Sequence, residues 1–307
     1  RIQPSPGRRN PAGSCILTAM AEKPRKQPIH EAGPNVLRHS RDGVMLYNRN
    51  DRFIGRSLEL LGEFSPGEGR FFQTTIKPGD TVIEVGAQMG AHTVGMAKAV
   101  GPEGRVHAFE PQRIMFQLLC ANLALNGLLN TFAWNMAADE QPGTLFVPEL
   151  DYEKSENFGG VALHRDNGVG QEVPAVALDR FMAKKGLGKA GLSFIKIDVE
   201  GMELPVLKGA AGLIAAQRPM IYFENDRRDK SEALLRWMLE AGYKLFWHVT
   251  PYFKKENYYG LKEDPFAVGE GQTIISANVL AVPSEKPVSG LDSIQIHDPT
   301  NWWSQEG

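Results

Sequence analysis

The sequence predicts a doubly wound, Rossmann-like α/β fold, with a seven-stranded sheet that is mostly parallel and ends in an antiparallel hairpin. Three observations predict it. From Thr81 onward short apolar runs alternate with stretches of helical periodicity, a glycine turn follows the first of these runs, and no helix pattern separates the last two. Strands alternating with helices imply parallel pairing through right-handed crossovers covered on both faces, whereas two successive strands with no helix between them pair antiparallel.

Arg1 to Pro34 is rich in Pro, Gly, Arg and Lys without periodicity, so burial cannot repay its ordering entropy and a disordered leader is expected. The first methionine is Met20, and the residues before it are expected to be an upstream extension. Residues 35–74 read as a connecting region that holds Val44 to Tyr47 and the amphipathic stretch Ile54 to Leu61.

The main domain is placed at residues 75–284. Thr81 to Val85, between the turn Lys77-Pro78-Gly79-Asp80 and Gly86, reads as a buried strand, and Ala91 to Val100 as the helix after it. Arg105 to Phe109 is the second strand, Gln112 to Asn126 a helix stopped by glycine, and Thr131 to Ala137 the third strand. Loop residues interrupt the pattern at 142–173, with strand-like pieces at Thr144 to Val147 and Val161 to His164. Ser193 to Val199 is the fourth strand, Met202 to Gln217 a helical stretch interrupted near Pro205, and Met220 to Glu224 the fifth strand. Ser231 to Ala241 is a helix closed by Gly242. Tyr243 to His248 and Thr273 to Val282 form the hairpin, with an irregular, substrate-side loop at 250–272 between them. In the polar tail, residues 285–307, Trp302 and Trp303 are suited to docking on another surface.

At 307 residues, 42% hydrophobic and 23% charged, the chain can bury a full core. A net charge of −2 gives no general attraction to nucleic acid, so none is expected as a partner. The two cysteines, Cys15 and Cys120, do not make a disulfide framework and fit a reducing compartment. No apolar run approaches the roughly 20 residues that span a bilayer, and Ser14 to Ala19 is short for a secretory core, so a cytoplasmic protein is expected.

In a doubly wound sheet the ligand lies beside the first strand-to-helix turn, here Gly86-Ala87-Gln88-Met89-Gly90. A dinucleotide fingerprint needs a central glycine where Gln88 stands, and Glu84 precedes the turn, so a cationic ligand suits it better than a diphosphate. The methionyl part of S-adenosylmethionine carries an ammonium and a sulfonium, and a carboxylate can attract the ammonium directly or through water. Glu110, at the end of the second strand, is placed to accept hydrogen bonds from both ribose hydroxyls. Asp198 and Glu200 close the fourth strand, where an acid can orient the donor's amino group, bind a metal or act as a base.

The runs Val82-Ile83-Glu84-Val85-Gly86-Ala87-Gln88-Met89-Gly90-Ala91-His92-Thr93, Ala108-Phe109-Glu110-Pro111, Asn122-Leu123-Ala124-Leu125-Asn126-Gly127 and Ile195-Lys196-Ile197-Asp198-Val199-Glu200-Gly201-Met202-Glu203 together resemble the FkbM family of methyltransferases. The resemblance implies the class I methyltransferase fold, S-adenosylmethionine as donor, and methylation of hydroxyl oxygens on sugars, glycolipids or secondary metabolites. It points to Glu84, Gly86, Gly90 and Glu110 as donor-site residues; Ala87, Gln88, His92, Thr93, Pro111, Ala137 and Asp198 complete the expected lining. Gln88 departs from the Asn common at its position.

Methyl transfer from a sulfonium is an in-line displacement that depends on alignment, and an alcohol acceptor must also lose its proton to a base or a metal-lowered pKa. His248, Asp198 and Glu224 are the candidates near the acceptor, a small molecule or a glycan. Metal-free chemistry is the expectation, with Asp198, Glu200 and Glu224 able to offer oxygens to a hard divalent cation. Nucleic-acid or protein methylation on the same fold and a nucleotide-binding oxidoreductase are the alternatives. Adenine methylation wants Asn/Asp-Pro-Pro-aromatic where Asp198-Val199-Glu200-Gly201 stands, and neither cysteine has the setting of a pyrimidine-attacking nucleophile.

Overall fold

The computed structural model describes residues 26–165, 169–186, 191–269 and 271–303, so Cys15, Met20 and most of the expected leader lie outside the described residues. The chain opens with a three-stranded antiparallel sheet of β1 (His30–Ala32), β2 (Asn35–Ser40) and β3 (Gly43–Asn48). Disorder to Pro34 therefore does not hold: His30–Ala32 is exposed, yet its backbone pairs with β2. The expected connector also contains α1 (Ile54–Leu61) and α2 (Pro66–Thr75). Pro66 opens α2, where its missing N–H costs nothing, and Phe72 buries the helix against the main sheet.

The alternating part begins with β4 (Thr81–Val85), α3 (Thr93–Val100), β5 (Arg105–Phe109), α4 (Arg113–Leu125) and β6 (Thr131–Trp134). The strand expected to reach Ala137 breaks after Trp134. Its continuation, β7 (Ala137–Ala138), leaves the main sheet to pair with β9 (Gln171–Val176), which pairs on its other side with β8 (Gly143–Val147). The expected strand-like piece Val161 to His164 is reduced to one bridge between His164 and Phe146. Then come α5 (Leu178–Lys184), β10 (Leu192–Ile197), α6 (Glu203–Gly209), α7 (Ala211–Gln217) and β11 (Met220–Glu224). The helical break falls at Ala210 and not near Pro205, because Pro205 occupies the first turn of α6, where no intrahelical N–H is needed. Gly209 instead lies against the Asp139 backbone, 2.1 Å from where a Cβ would stand.

The chain closes with α8 (Arg228–Glu240), β12 (Tyr243–Pro251), the short pair β13 (Ala267–Gly269) and β14 (Gln272–Thr273), β15 (Ile275–Pro283) and β16 (Gln295–Ile296). The main sheet has the order β6-β5-β4-β10-β11-β15-β12-β16. It is parallel from β6 to β11 and antiparallel from β11 through β15 and β12, the expected terminal hairpin. Eight strands replace the expected seven because the tail returns and pairs Gln295 and Ile296 with Phe246 and Leu245. No helix among the described residues is long and apolar enough to cross a membrane.

Alternation along each strand divides the core into two layers. Ile83, Val85, Ile195 and Ile197 pack toward α5, α6, α7 and α8, whereas Val82, Val106 and Phe194 meet Phe72 of α2 and Met96 of α3. Glu84 and Lys196 occupy the same parity as Val82 and Phe194, so two charged side chains point into the second layer.

His107 of β5 is fully enclosed, its ring stacked on Phe132 at 5.2 Å and near-parallel to Trp134 at 6.4 Å, and neither ring nitrogen has a hydrogen-bond partner among the described residues. Burial lowers its pKa to about 4, with Arg105 adding to the effect. Between its ordinary 6.5 and about 4 the unfolded chain binds a proton that the native state refuses, so this contribution to stability is complete above 6.5 and lost as the pH falls. Urea midpoints of wild type and His107→Leu measured from pH 7 to 4 should show a shallower decline in the variant; parallel curves would refute this role.

Candidate active site

The turn from β4 to α3 is held by the strand on each side. Phe109 at the end of β5 accepts hydrogen bonds from the Gly86 and Ala87 N–H groups, both at 3.0 Å, and Asp198 past β10 donates its N–H to the Val85 carbonyl at 3.0 Å. Gly86 has φ +83°, and a Cβ there would stand 1.8 Å from the Asp198 carbonyl oxygen. Only glycine lets the two strand ends approach so closely. Gln88 takes a left-handed φ of +50°, which turns its N–H to donate to Glu110 Oε2 at 2.7 Å.

Glu110 Oε1 accepts the Gln112 N–H at 2.8 Å, so the carboxylate joins the ends of β4 and β5. Burial pushes its pKa up to about 7 in spite of these two donors. The Gln88 side chain turns the other way and donates to Asp51 Oδ2 at 3.3 Å. Asp51 Oδ1 accepts the N–H groups of Phe53 and Gly55, both at 3.0 Å, at the start of α1. The side chain at the departing family position thus ties the glycine turn to the N-terminal region.

Beneath the turn lies a charged floor. Register pairs Lys196 with Glu84. The Lys196 ammonium is 3.7 Å from Glu84 Oε1 and 3.1 Å from Asp198 Oδ2, and Thr93 Oγ1 donates to Glu84 Oε2 at 2.6 Å. Burial works against the charge on Lys196, but Asp198, Glu84 and Glu68 outweigh it and its pKa is raised. Glu68 of α2 accepts from the Ser65 hydroxyl at 2.7 Å and lies 3.8 Å from His92 Nε2. Burial, reinforced by Lys196, holds His92 well below the ordinary histidine range, so its ring is neutral near pH 7.

A cavity of about 440 Å³ opens above this floor. Of the residues expected from sequence it gathers Glu84, Gly86, Ala87, Gln88, His92, Glu110, Pro111, Ala137, Asp198, Glu200 and Glu224 into one lining. Gly90, Thr93 and His248 are not in it. Gly90 packs toward Leu119, and Thr93 acts on Glu84 from behind. His248 does not face the cavity as expected for a base: its Nδ1 is 2.8 Å from the Tyr222 hydroxyl and its ring meets Phe71 at 5.1 Å, because its place in β12 points it into the α2 layer.

Asp198, Glu200 and Glu224 bring carboxylate oxygens within 4.8 Å of one another at one end of the cavity. Arg227 pairs with Glu200. Glu224 Oε2 is buried with no hydrogen-bond partner among the described residues, and burial, then Asp198 and Glu200, raises its pKa well above the usual range. The other wall is aromatic: Phe64 meets Tyr252 edge-on at 5.3 Å, Phe53 meets Tyr252 at 6.0 Å, and Trp303 returns from the tail. Trp302 anchors that tail on Trp247 of its own chain at 6.0 Å.

Residues 84–245 match a family model described as the methyltransferase FkbM domain, a span of more than half the chain. This chain belongs to the FkbM methyltransferase family. A curated relative, methyltransferase sdnD of Sordaria araneosa, is 29% identical over 160 residues, which cover 42% of this chain and 59% of the relative. The match thus takes in less than two thirds of that protein's length. Among solved structures, methyltransferase FkbM from Methylobacillus flagellatus KT has 15% identity and a TM-score of 0.41 over 75% of this chain and 55% of its own. The O-methyltransferase from Bacillus cereus in complex with SAH has 14% identity and a TM-score of 0.43 over 71% and 81%. At these scores the likenesses are remote, and family membership rests on the sequence match.

Lys196 within the matched FkbM span and Glu68 and Tyr252 outside it line the cavity although the sequence reading gave them no role there, and Trp303, expected to dock on another surface, lines the cavity of its own chain. Lys196 did carry a signal, since lysine is rare in a buried parallel strand. Gly86→Ala should cost more than about 2 kcal/mol, from left-handed strain and the collision with the Asp198 carbonyl. Gly127→Ala, at φ +64° with no atom within 4 Å, should cost only about 1 kcal/mol. Equal losses in urea unfolding would disprove the backbone-contact account of Gly86.

Proposed function

We propose that this protein transfers the methyl group of S-adenosylmethionine to a hydroxyl oxygen of a small-molecule or glycan acceptor. The observation that carries the reading is a single cavity that joins the glycine turn, the Glu110 carboxylate and the acidic end of β10. Glu110 accepts the ribose hydroxyls, and the methionyl end extends toward Asp198. This directs the sulfonium at the space between the Glu224 carboxylate and the aromatic wall of Tyr252 and Trp303. Aromatic faces beside carboxylates suit a polyhydroxylated acceptor, the rings covering its C–H faces and the acids receiving its hydroxyls.

In the reaction the acceptor oxygen forms a bond to the methyl carbon as the carbon–sulfur bond breaks, and its electron pair stays on sulfur to give S-adenosylhomocysteine. The hydroxyl proton passes to the ionised carboxylate of Glu224, which lines the cavity and whose burial raises its affinity for a proton. The carboxylate oxygens of Asp198, Glu200 and Glu224, within 4.8 Å of one another, favour a second reading, in which these three residues would hold a hard divalent cation that would lower the hydroxyl pKa. Retained turnover after exhaustive chelation favours Glu224 alone; loss restored by magnesium or manganese favours the cation.

Labelled S-adenosylmethionine incubated with fractionated glycans, lipids and small metabolites should label a hydroxyl-bearing acceptor, and Glu224→Gln should lower turnover by at least about 100-fold. Tight NAD binding with none for S-adenosylhomocysteine would overturn the donor assignment. A second expectation follows from Glu110, which accepts hydroxyl hydrogen bonds best when ionised. With its pKa at about 7, S-adenosylhomocysteine affinity should strengthen as the pH rises from 6 to 8. Calorimetric titration should find this dependence flattened in Glu110→Gln; the same slope in both proteins would exclude Glu110 as its source.

A further inference from the structure

Glu84 is the acid that the glycine turn brings to notice, yet both its oxygens are occupied. Thr93 donates to Oε2 at 2.6 Å, Oε1 faces the Lys196 ammonium at 3.7 Å, and the residue is 1% exposed. Asp198 differs. Its Oδ2 receives Lys196 at 3.1 Å, its Oδ1 has no hydrogen bond among the described residues, and its side chain is 35% exposed at the cavity. The four groups form a line, Thr93 to Glu84 to Lys196 to Asp198, that runs from the start of α3 across β4 and β10 and ends on one free carboxylate oxygen.

We infer that Lys196, braced by Glu84, is the positioning residue that aims the Asp198 carboxylate at the ammonium of the donor's methionyl part. The inference rests on the donor reading above. A lysine near a cationic ligand is unfavourable unless its charge is already spent, and two carboxylates at 3.1 and 3.7 Å spend it. What the ligand meets is the outer carboxylate, whose rotation Lys196 removes before binding, so less ordering remains to be done when the ligand arrives. Glu84 on this account acts through Lys196 and not on the donor.

The test compares two probes that share the adenosine half. S-adenosylhomocysteine carries the amino-acid ammonium and methylthioadenosine does not, so the ratio of their affinities isolates the methionyl end and cancels effects at Glu110. Lys196→Met and Lys196→Gln should lower this ratio at least tenfold while leaving methylthioadenosine binding within about threefold of wild type. Lys196→Arg, which keeps the charge, should retain most of the ratio, and Asp198→Asn should lose it as Lys196→Met does.

An unchanged ratio in the two neutral variants overturns the inference, and so does a ratio lost equally in Lys196→Arg. Loss of methylthioadenosine binding in both neutral variants also overturns it, because Lys196 would then serve the shape of the whole site. Wild-type protein that binds neither probe would instead overturn the donor reading itself, so the two failures are distinguishable.

Discussion

The candidate site depends on a contact between two pieces of backbone, the Gly86 turn after β4 and the Asp198 carbonyl after β10. With no room for a Cβ between them, the ends of the central strands lie close, and the register of the same two strands puts the Lys196 ammonium 3.7 Å from Glu84 and 3.1 Å from Asp198. The same turn sends the Gln88 N–H to Glu110 on β5. Three adjacent strands are locked at their carboxyl ends by hydrogen bonds that do not belong to the sheet ladder. A ligand in this crevice meets polar groups whose positions the core has already set, which lowers the ordering cost of binding.

The floor is an expensive construction. A buried ammonium and buried carboxylates each pay several kcal/mol of desolvation, and mutual attraction returns that only where geometry is good. An apolar pair at the register position of Glu84 and Lys196 would continue the packing of Val82 and Phe194 without that penalty. Retaining charge there makes sense for what it does at the cavity, where Asp198 reaches the opening, and less for stability. Glu110 shows the same tension. Its pKa, raised to about 7, means that the native state holds a proton more readily than the unfolded chain. The carboxylate thus weakens the fold as the pH climbs from the ordinary carboxylate range through about 7, and a hydroxyl-bearing ligand offsets this by supplying donors.

Much of the fold was legible because its signals are local. Buried parallel strands give continuous apolar runs, helices give their own period, and the missing helix before β15 forecast the antiparallel hairpin. That Glu84, Gly86, Glu110 and Asp198 gather at one cavity was legible for the same reason, since all four sit at or next to strand ends and placing the strands places the residues. What failed had non-local causes. The eighth strand exists because the tail returns to Leu245 and Phe246, and β7 leaves the main sheet for partners in the insertion. His248 was misplaced by orientation, since pairing between β12 and β15 decides which face it takes, and that face leads to Tyr222.

The half of the cavity proposed to take the acceptor has a different origin in the chain. Its wall is drawn from Phe64 ahead of the main sheet, Leu163 in the insertion, Tyr252 after the hairpin's first strand and Trp303 in the tail. These residues share no period and no motif, and each arrives on a connection between rigid elements. Such segments can change without disturbing the strand ends, whereas Gly86 cannot change without moving Asp198. One half of the cavity is therefore fixed by sheet geometry and the other, on the proposed function, is free to follow a substrate. On that reading the sequence motifs speak to the donor, while what would select an acceptor resides in loops that only the folded chain brings together.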